Sequence, residues 1–345
     1  MAGLTSESRL RWRSISAGRW TALVTLLLVA PLLATTLRFP LLVMEPGPAP
    51  DIADRSEILT PTFESSGSFH LTTVQIRRPG GSTLFEAMQA MFASDKFLVS
   101  RSAVYPPGGS DEQANQVQSA QMVQSEVSAA AVAFDALGIE YEQAGALVID
   151  VLPGSPASEV LEPGDVITEV DGQPVTGIDE LIEAIAQRSA GETLAVTLTR
   201  DGAVTNEQVR TVQSQEEPAR TVMGVQISQH HRAPIDINFD AADIGGPSAG
   251  LMFALSIYDR LEEGDLTGGK KIAGTGTLDA TDGSRTAVGG VGAVELKVRG
   301  AMQLGADVFV VPQDSVEKAR SLAGSSMQVI GVSTFEEAIA ALEAL

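Results

Sequence analysis

Cysteine is absent from the 345-residue chain, and histidine is scarce, with three copies. Without cysteine the chain has no disulfide bond, no thiolate zinc ligand and no cysteine nucleophile. Basic residues are outnumbered by acidic ones, 23 against 44, which gives a net charge of -21. Because nucleic acid phosphates repel such a surface, the charge balance argues against nucleic acid as a partner.

Two further ligand classes lack a matching motif. No group of His, Asp and Glu has metal-ligand spacing, so we expect neither a metal nor another cofactor. The nearest approach to a phosphate-binding loop is GDLTGGKK at residues 264–271, which ends in lysine where a Ser or Thr must hold Mg²⁺. We therefore expect no ATP binding.

An uncharged run of eighteen residues, 20–37, follows four arginines placed between residues 9 and 19. About 20 apolar residues cross a bilayer, and basic flanks keep their side in the cytoplasm. The pattern predicts a basic cytoplasmic tail over 1–19, a transmembrane helix over 20–38, and a single-pass plasma-membrane protein with its catalytic domain outside the cytoplasm. A cleaved signal peptide and a buried core helix are the alternatives, although no A-x-A cleavage site follows the run.

The segment 39–132 begins with a proline-rich exit and predicts an extracytoplasmic unit associated with the C-terminal domain. Within it the residue pattern predicts a strand over 69–76, a helix over 81–93 and a long helix over 111–137. Pro106-Pro107-Gly108-Gly109 breaks the chain between the two helices.

The segment 133–215 combines GALVIDVLPGSPA with GDVITEVDGQPV. Asp171-Gly172 predicts a hairpin turn, and the flanking pattern predicts a small unit of strands and one helix. The predicted strands are 147–151, 166–170 and 194–200, and the predicted helix is 178–188. These motifs resemble the PDZ domains of bacterial envelope proteases, which bind extended chain ends by adding a strand to a sheet edge. The alternative is a β-rich spacer without a ligand.

Ser248 stands in a glycine frame, GGPSAG, at the start of an apolar helix. Pro247 suits a first helical position, and the glycines allow unusual backbone dihedrals. The free amides and positive dipole of a helix N-terminus could stabilise an oxyanion formed in acyl transfer. Ser248 is therefore a candidate nucleophile, and an ordinary helix cap is the alternative.

A serine nucleophile needs a base, and the chain offers few. His230 and His231 lie in a loop-like QHHRAP without an evident carboxylate partner. Lys297 falls at helical spacing with Val294 and Ala301, on an apolar face where burial would lower its pKa. Lys297 is thus the candidate base, and a lysine that reaches water from the helix edge is the alternative.

GPSAG, TGTL at 275–278, a GG pair and a lysine eight residues before a glycine together resemble the proteolytic domain of Lon proteases. The whole chain after residue 19 resembles membrane-anchored, PDZ-containing Lon-like proteases of Gram-positive bacteria. The resemblance implies a Ser-Lys dyad of Ser248 and Lys297, with Thr275 beside the lysine and Gly246 and Ala249 supporting the serine. It also implies a homo-oligomer, by analogy with Lon hexamers.

The sequence departs from the Lon pattern in three places. Cytoplasmic Lon usually has an acidic residue two before the proline, where this chain has Gly245 and the nearest acid is Asp243. Thr277 replaces the acid of the TGE motif, and about three extra residues separate Gly290 from the lysine. The chain also lacks the ATPase of Lon.

These observations predict an α+β chain with one transmembrane helix, a PDZ-like domain, and a Lon-type proteolytic α/β domain over 216–345. The predicted function is an ATP-independent serine endopeptidase whose PDZ domain recruits unfolded or flexible proteins and peptides. A non-catalytic PDZ scaffold is the alternative from another class. A lesser alternative keeps the enzyme and uses His230 or His231 as the base.

Overall fold

The computed structural model of the chain describes residues 25, 28–29, 32–77, 81–93, 95–104, 111–214, 220–232, 234–235, 237–241, 244–278 and 286–345, without the side chains of 111–113. The predicted cytoplasmic tail, about half of the predicted transmembrane range, and Asp243 lie outside these residues.

The described helices and strands alternate along most of the chain. The α-helices are α1 (Leu84–Phe92), α2 (Arg101–Val104), α3 (Asp111–Leu137), α4 (Ile178–Ala186), α5 (Gly250–Leu261), α6 (Val294–Leu304), α7 (Val316–Ala323) and α8 (Phe335–Glu343). The strands are β1 (Arg38–Phe39), β2 (Leu41–Pro46), β3 (Ser56–Ile58), β4 (Ser68–Leu71), β5 (Val74–Arg77), β6 (Ser82–Thr83), β7 (Phe97–Ser100), β8 (Glu142–Val151), β9 (Val166–Val170), β10 (Gln173–Pro174), β11 (Thr193–Arg200), β12 (Ala203–Arg210), β13 (Val212–Gln213), β14 (Thr221–Val222), β15 (Val225–Arg232), β16 (Ile237–Phe239), β17 (Lys271–Gly274), β18 (Thr277–Leu278), β19 (Val288–Gly289), β20 (Val308–Pro312) and β21 (Gln328–Val332).

A parallel sheet in the order β21-β20-β17-β4 forms the centre of the C-terminal unit. Side chains alternate between its faces, as the twofold period of a strand requires. Ile272, Val308 and Val310 pack in the core that holds α3, α5 and α8. Ala273, Phe309 and Val311 pack in the opposite core with α6 and α7. The helix that follows Ser248 and the helix that carries Lys297 therefore cover opposite faces of one sheet.

An antiparallel sheet in the order β12-β11-β9-β8-β15, with β10 on β9, forms a second unit that has its own core. The predicted strands 147–151, 166–170 and 194–200 all lie within it, and α4 begins where the predicted helix does. Strand β15, which follows the predicted end of this unit at residue 215, pairs with β8 at the edge of the sheet.

The predicted single strand over 69–76 is two strands in two sheets. β4 pairs with β17, whereas β5 pairs with β2 in the sheet β5-β2-β7. The division occurs at Thr72, whose amide and hydroxyl both donate to the carbonyl oxygen of Gly274, at 3.3 and 2.8 Å. The predicted helices over 81–93 and 111–137 are confirmed as α1 and α3, and Thr83 caps α1 in a capping box with Glu86.

The predicted transmembrane helix over 20–38 is contradicted. No helix within the described ranges combines the length and the apolar character that a bilayer crossing needs. The described helical stretch at 32–36 ends with Thr35 and Thr36 hydroxyls bonded to the Leu32 carbonyl, and β1 then pairs with β6. The prediction treated the uncharged run as one helix that continues to Arg38, whereas Arg38 belongs to β1. The single-pass plasma-membrane placement is contradicted by the same finding.

Candidate active site

The loop before α5 holds Ser248 in a turn, outside the regular helix. Gly246 has φ +89°, a conformation that favours glycine, and Ser248 and Ala249 form the turn that leads into the helix at Gly250. Ala249 occupies the N-cap position, and no side chain caps the helix. The hydroxyl of Ser248 therefore does not serve as a helix cap.

The long helix α3 fixes this loop from the side. The Gly246 amide donates to the Gln118 carbonyl oxygen at 3.0 Å, and the Ser125 hydroxyl donates to the Pro247 carbonyl oxygen at 3.2 Å. A Cβ at Gly245 would meet the Gln118 side chain at 2.8 Å, so only glycine fits this close approach. Two residues of α3 that lie about two turns apart thus anchor the backbone at Gly246 and at Pro247.

Lys297 lies in α6 with its side chain almost completely enclosed, 5% exposed. Its Nζ donates to Ser248 Oγ at 2.7 Å and to Thr275 Oγ1 at 2.9 Å. Val294 and Ala301 are buried on the same face, as the spacing predicted. Lys297 thus does not extend to water from the helix edge.

Thr275 completes the polar cluster at the end of β17. Its side chain is fully buried, and its amide donates to the Val310 carbonyl oxygen at 3.0 Å. Its hydroxyl accepts from Lys297 and donates to the carbonyl oxygen of Ser248 at 3.1 Å. The serine turn, the sheet and α6 therefore meet at one threonine hydroxyl.

Burial lowers the pKa of Lys297 from its ordinary value near 10.5 to about 8. The cause is desolvation, because a buried ammonium group loses the hydration that favours the charged form. A substantial fraction of this lysine is therefore neutral in mildly alkaline solution and can accept a proton from the Ser248 hydroxyl.

A cleft of about 980 Å³ opens above this cluster. Ser248, Ala249 and Lys297 line it, and much of its remaining wall is apolar, with Leu71, Met122, Ile76 and Phe97 among its residues. Among the described residues, no acceptor takes up the amides of Ser248 and Ala249, whereas the Gly246 amide is occupied by Gln118. Two backbone donors of the serine turn are therefore left for a ligand.

The histidines lie elsewhere. His230 and His231 belong to strand β15, and neither lines the cleft. His70 lies in β4, where its Nε2 is 2.9 Å from Ser68 Oγ and its Nδ1 is 3.0 Å from the Ala49 carbonyl oxygen. Within the part of the chain that the structure describes, no three histidine or acidic side chains converge as a metal site requires.

Sequence reasoning missed the contribution of α3 and of the sheet β5-β2-β7 to the site. Gln118, Met122, Ser125 and Ala129 share one face of α3 at the spacing i, i+4, i+7, i+11. That spacing indicates a packed helix face. Polar and apolar residues are mixed on this face, so it does not stand out as an apolar stripe in the sequence.

Comparison with known proteins matches the PDZ domain family over residues 119–211, and the chain thus contains a PDZ domain. A relative described as a probable periplasmic serine endoprotease DegP-like, from Bartonella henselae, is 32% identical over 97 residues, which cover 28% of this chain and 19% of the relative. The chain therefore spans about a fifth of that relative's length.

Solved structures also resemble the chain in part. A solution structure from Geobacillus thermodenitrificans is 30% identical, covering 25% of this chain and 98% of that one with a TM-score of 0.23. The PDZ domain of an SdrC-like protein from Listeria monocytogenes is 24% identical, covering 24% and 86%, also at 0.23. TM-scores this low support no conclusion about the architecture of the whole chain.

The predicted Lon-type domain is not shown by these comparisons. The family model ends at residue 211, before Ser248, and the named relatives and structures show no Lon proteolytic domain. What stands is a mixed α/β chain with a PDZ domain and a distant similarity to a periplasmic serine endoprotease. The predicted fold class, with a transmembrane helix and a Lon-type domain, is therefore wrong. The motifs that suggested a Lon-type domain concern a few residues, and such motifs do not determine the architecture around them.

Proposed function

We propose that the chain is an ATP-independent serine endopeptidase in which Ser248 is the nucleophile and Lys297 the general base. One observation carries the proposal: a lysine that is 5% exposed donates to the Ser248 hydroxyl oxygen at 2.7 Å. A buried lysine is costly to maintain, so its place beside a serine in a cleft points to use in chemistry.

The reaction proceeds through an acyl-enzyme. Neutral Lys297 accepts the proton of the Ser248 hydroxyl while the oxygen attacks the substrate carbonyl carbon. The amides of Ser248 and Ala249 donate to the resulting oxyanion. The lysine ammonium then protonates the leaving amine as the peptide C–N bond breaks. Water, deprotonated by the same lysine, hydrolyses the ester and restores Ser248.

The PDZ domain would supply substrate binding. PDZ domains take extended peptides by adding a strand to a sheet edge. Strand β15 is an edge of this sheet, and α4 lies beside it, its Ile178 amide donating to Gln229 Oε1 of β15 at 3.2 Å. The groove between β15 and α4 is the proposed peptide site. Because no ATP-driven motor would unfold the substrates, we expect them to be flexible or already unfolded.

Two resemblances support the peptidase proposal. The DegP-like relative is described as a serine endoprotease. The sequence motifs resemble Lon proteolytic domains, whose Ser-Lys dyad corresponds to the pair seen here. A homo-oligomer remains a prediction from the same resemblance.

The test is cleavage of unfolded casein by the purified full chain without nucleotide. We expect cleavage by the parent, a loss of at least about a thousandfold in Ser248→Ala and in Lys297→Ala, and none of this loss in the double variant His230→Ala/His231→Ala. Undiminished cleavage by Ser248→Ala would refute Ser248 as the nucleophile. Loss of cleavage only in the histidine double variant would indicate that a histidine of this pair is the base.

The pH profile gives an independent test of the base. Lys297 acts only when neutral, so kcat/KM should rise with pH and level off above the pKa of about 8. A rate that falls over the range from pH 7 to 9 in a folded protein would exclude a lysine base.

A PDZ adaptor without catalysis is the second candidate, favoured by the family match over 119–211. It predicts that peptides bind the β15 groove while no substrate is cleaved at any pH. Peptide binding by Ser248→Ala at parental affinity, together with cleavage by the parent alone, would decide for the peptidase.

A further inference from the structure

A second cavity of about 190 Å³ lies away from the proposed catalytic cleft. It is formed by α3, by Tyr141 just before β8, by the end of β15 and by β16 with the residues before it. Glu126, Phe134, Tyr141, His231 and Phe239 line it together with aliphatic side chains. Cavities for drug-sized ligands reach about 300–1,000 Å³, so this one suits a ligand of a few heavy atoms.

Among the described residues, Glu126 is the one acidic side chain that lines this cavity. Within the described ranges it makes no hydrogen bond and no ion pair. Burial raises the pKa of Glu126 to about 7, because the ionised carboxylate is poorly hydrated there. A cation placed beside it would supply the attraction that the protein does not.

The aromatic rings of the cavity lie at varied angles to one another. The ring centroids of Phe134 and Tyr141 are 6.3 Å apart at 43°, and those of Tyr141 and His231 are 5.0 Å apart at 88°. Rings at such angles do not lie parallel to one another along the cavity wall, and the faces of aromatic rings attract cations.

We propose that this cavity binds a small organic ammonium ion, of the size of choline, between the Glu126 carboxylate and the rings of Phe134, Tyr141 and Phe239. The three components of an ammonium site are present: one carboxylate, several aromatic rings and a small volume. The net charge of -21 disfavours an anionic ligand and attracts a cationic one.

The position of the cavity connects the two units of the chain. In α3, Gln124 Nε2 donates to Ser228 Oγ of β15 at 3.0 Å, and the next residue, Ser125, donates to Pro247 beside the proposed nucleophile. Glu126 follows directly. A bound ammonium ion would therefore contact the turn of α3 that joins the PDZ sheet to the serine loop.

Titration calorimetry of the full chain with choline, and with its uncharged analogue 3,3-dimethylbutan-1-ol, tests the site. The two probes share their shape and differ in charge. We expect one choline site per chain and at least about tenfold weaker binding of the neutral alcohol. Equal affinity for both probes, or no binding of choline, would overturn the proposal.

Variants locate the binding. Glu126→Gln removes the charge and keeps the shape, and Phe239→Leu removes one ring face, so each should weaken choline binding, the former by at least about tenfold. Glu140→Gln removes an equal charge from an exposed position nearby and should leave binding unchanged. Circular dichroism checks that each cavity variant is folded, and if one is unfolded the other provides the test. Unchanged choline binding by folded Glu126→Gln would mean that choline binds elsewhere.

Discussion

Lys297 is held where its ordinary charge is disfavoured. Its pKa of about 8, against an ordinary value near 10.5, reports the free energy that burial adds to the charged form. Hydrogen bonds to Ser248 and Thr275 do not replace the lost hydration. The residue that would perform the chemistry is therefore one that the fold would be more stable without, as is common at active sites.

Lys297→Met should therefore stabilise the protein at pH 7, by up to about 3 kcal/mol, while abolishing cleavage. Between pH 8 and 10.5 the unfolded parent binds more protons than the folded parent, so the parent gains stability with rising pH. The advantage of the variant should shrink over that range. Thermal melts from pH 7 to 9.5 measure it, with the partly exposed Lys270→Met as the control. A variant less stable than the parent at pH 7 would contradict this account.

Thr275 is a positioning residue in the proposed mechanism, since its hydroxyl binds both the lysine and the backbone of the nucleophile. Thr275→Val keeps the shape and removes the hydroxyl. We expect kcat to fall between about tenfold and a hundredfold with KM little changed, because the lysine loses its orientation. Thr275→Ser should restore most of the rate. A purely structural role would instead let valine retain activity once the variant is shown to be folded.

At the scale of elements, the serine loop depends on a helix far away in the chain. The bond from Ser125 to Pro247 joins residues 122 positions apart. The local sequence around Ser248 predicted the start of an apolar helix, with Pro247 in its first position, whereas the helix begins at Gly250. The face of α6 predicted a buried lysine. Neither pattern contains α3, because contacts of this span depend on tertiary packing rather than on local periodicity.

The same limit explains the errors of the sequence interpretation. The strand predicted over 69–76 is continuous in composition, yet Thr72 bonds to Gly274 and the chain changes sheets there. The uncharged run over 20–37 satisfies a length rule, while the residues described near its end turn into β1, which pairs with β6. Composition indicated a strand over 69–76 and a helix over 20–37. Where each of them ends depends on strand pairing elsewhere in the fold, which composition does not contain.

Gly246 tests the backbone geometry of the serine loop. A Cβ there would meet no atom within 4 Å, so the effect of Gly246→Ala comes only from its φ of +89°. We expect a loss of about 1–2 kcal/mol in the free energy of unfolding and a lower kcat, because the turn would relax away from Lys297. Denaturant unfolding and casein cleavage measure the two effects.

Gly264→Ala, in the loop that follows α5, is the matched control for Gly246→Ala. Its Cβ would also meet nothing within 4 Å, and its φ is not positive. This variant should keep parental stability and activity. If both alanine variants behaved alike, the positive φ of Gly246 would have no role in holding the serine.

At the scale of the whole molecule, the PDZ sheet and the proposed catalytic unit are interleaved along the chain. β15 pairs with β8 at the sheet edge and continues through β16 toward the serine loop, while α3 contacts both units. A peptide that adds to β15 would therefore lie on the segment that leads to Ser248. A change inside the PDZ sheet that is remote from β15 can therefore test substrate recruitment without altering this segment.

Arg200 provides that change. Its guanidinium binds the Asp165 carboxylate through two bonds of 2.7 Å, and the Asp165 side chain is 1% exposed. Arg200→Ala leaves a buried charge unpaired and should cost about 3 kcal/mol of stability in the PDZ unit. We expect KM for casein to rise while kcat/KM for a peptide too short to reach both sites stays near the parental value. Exposed Arg210→Ala in the same sheet is the control. An equal loss on both substrates would mean that the sheet supports the serine loop and does not recruit substrate.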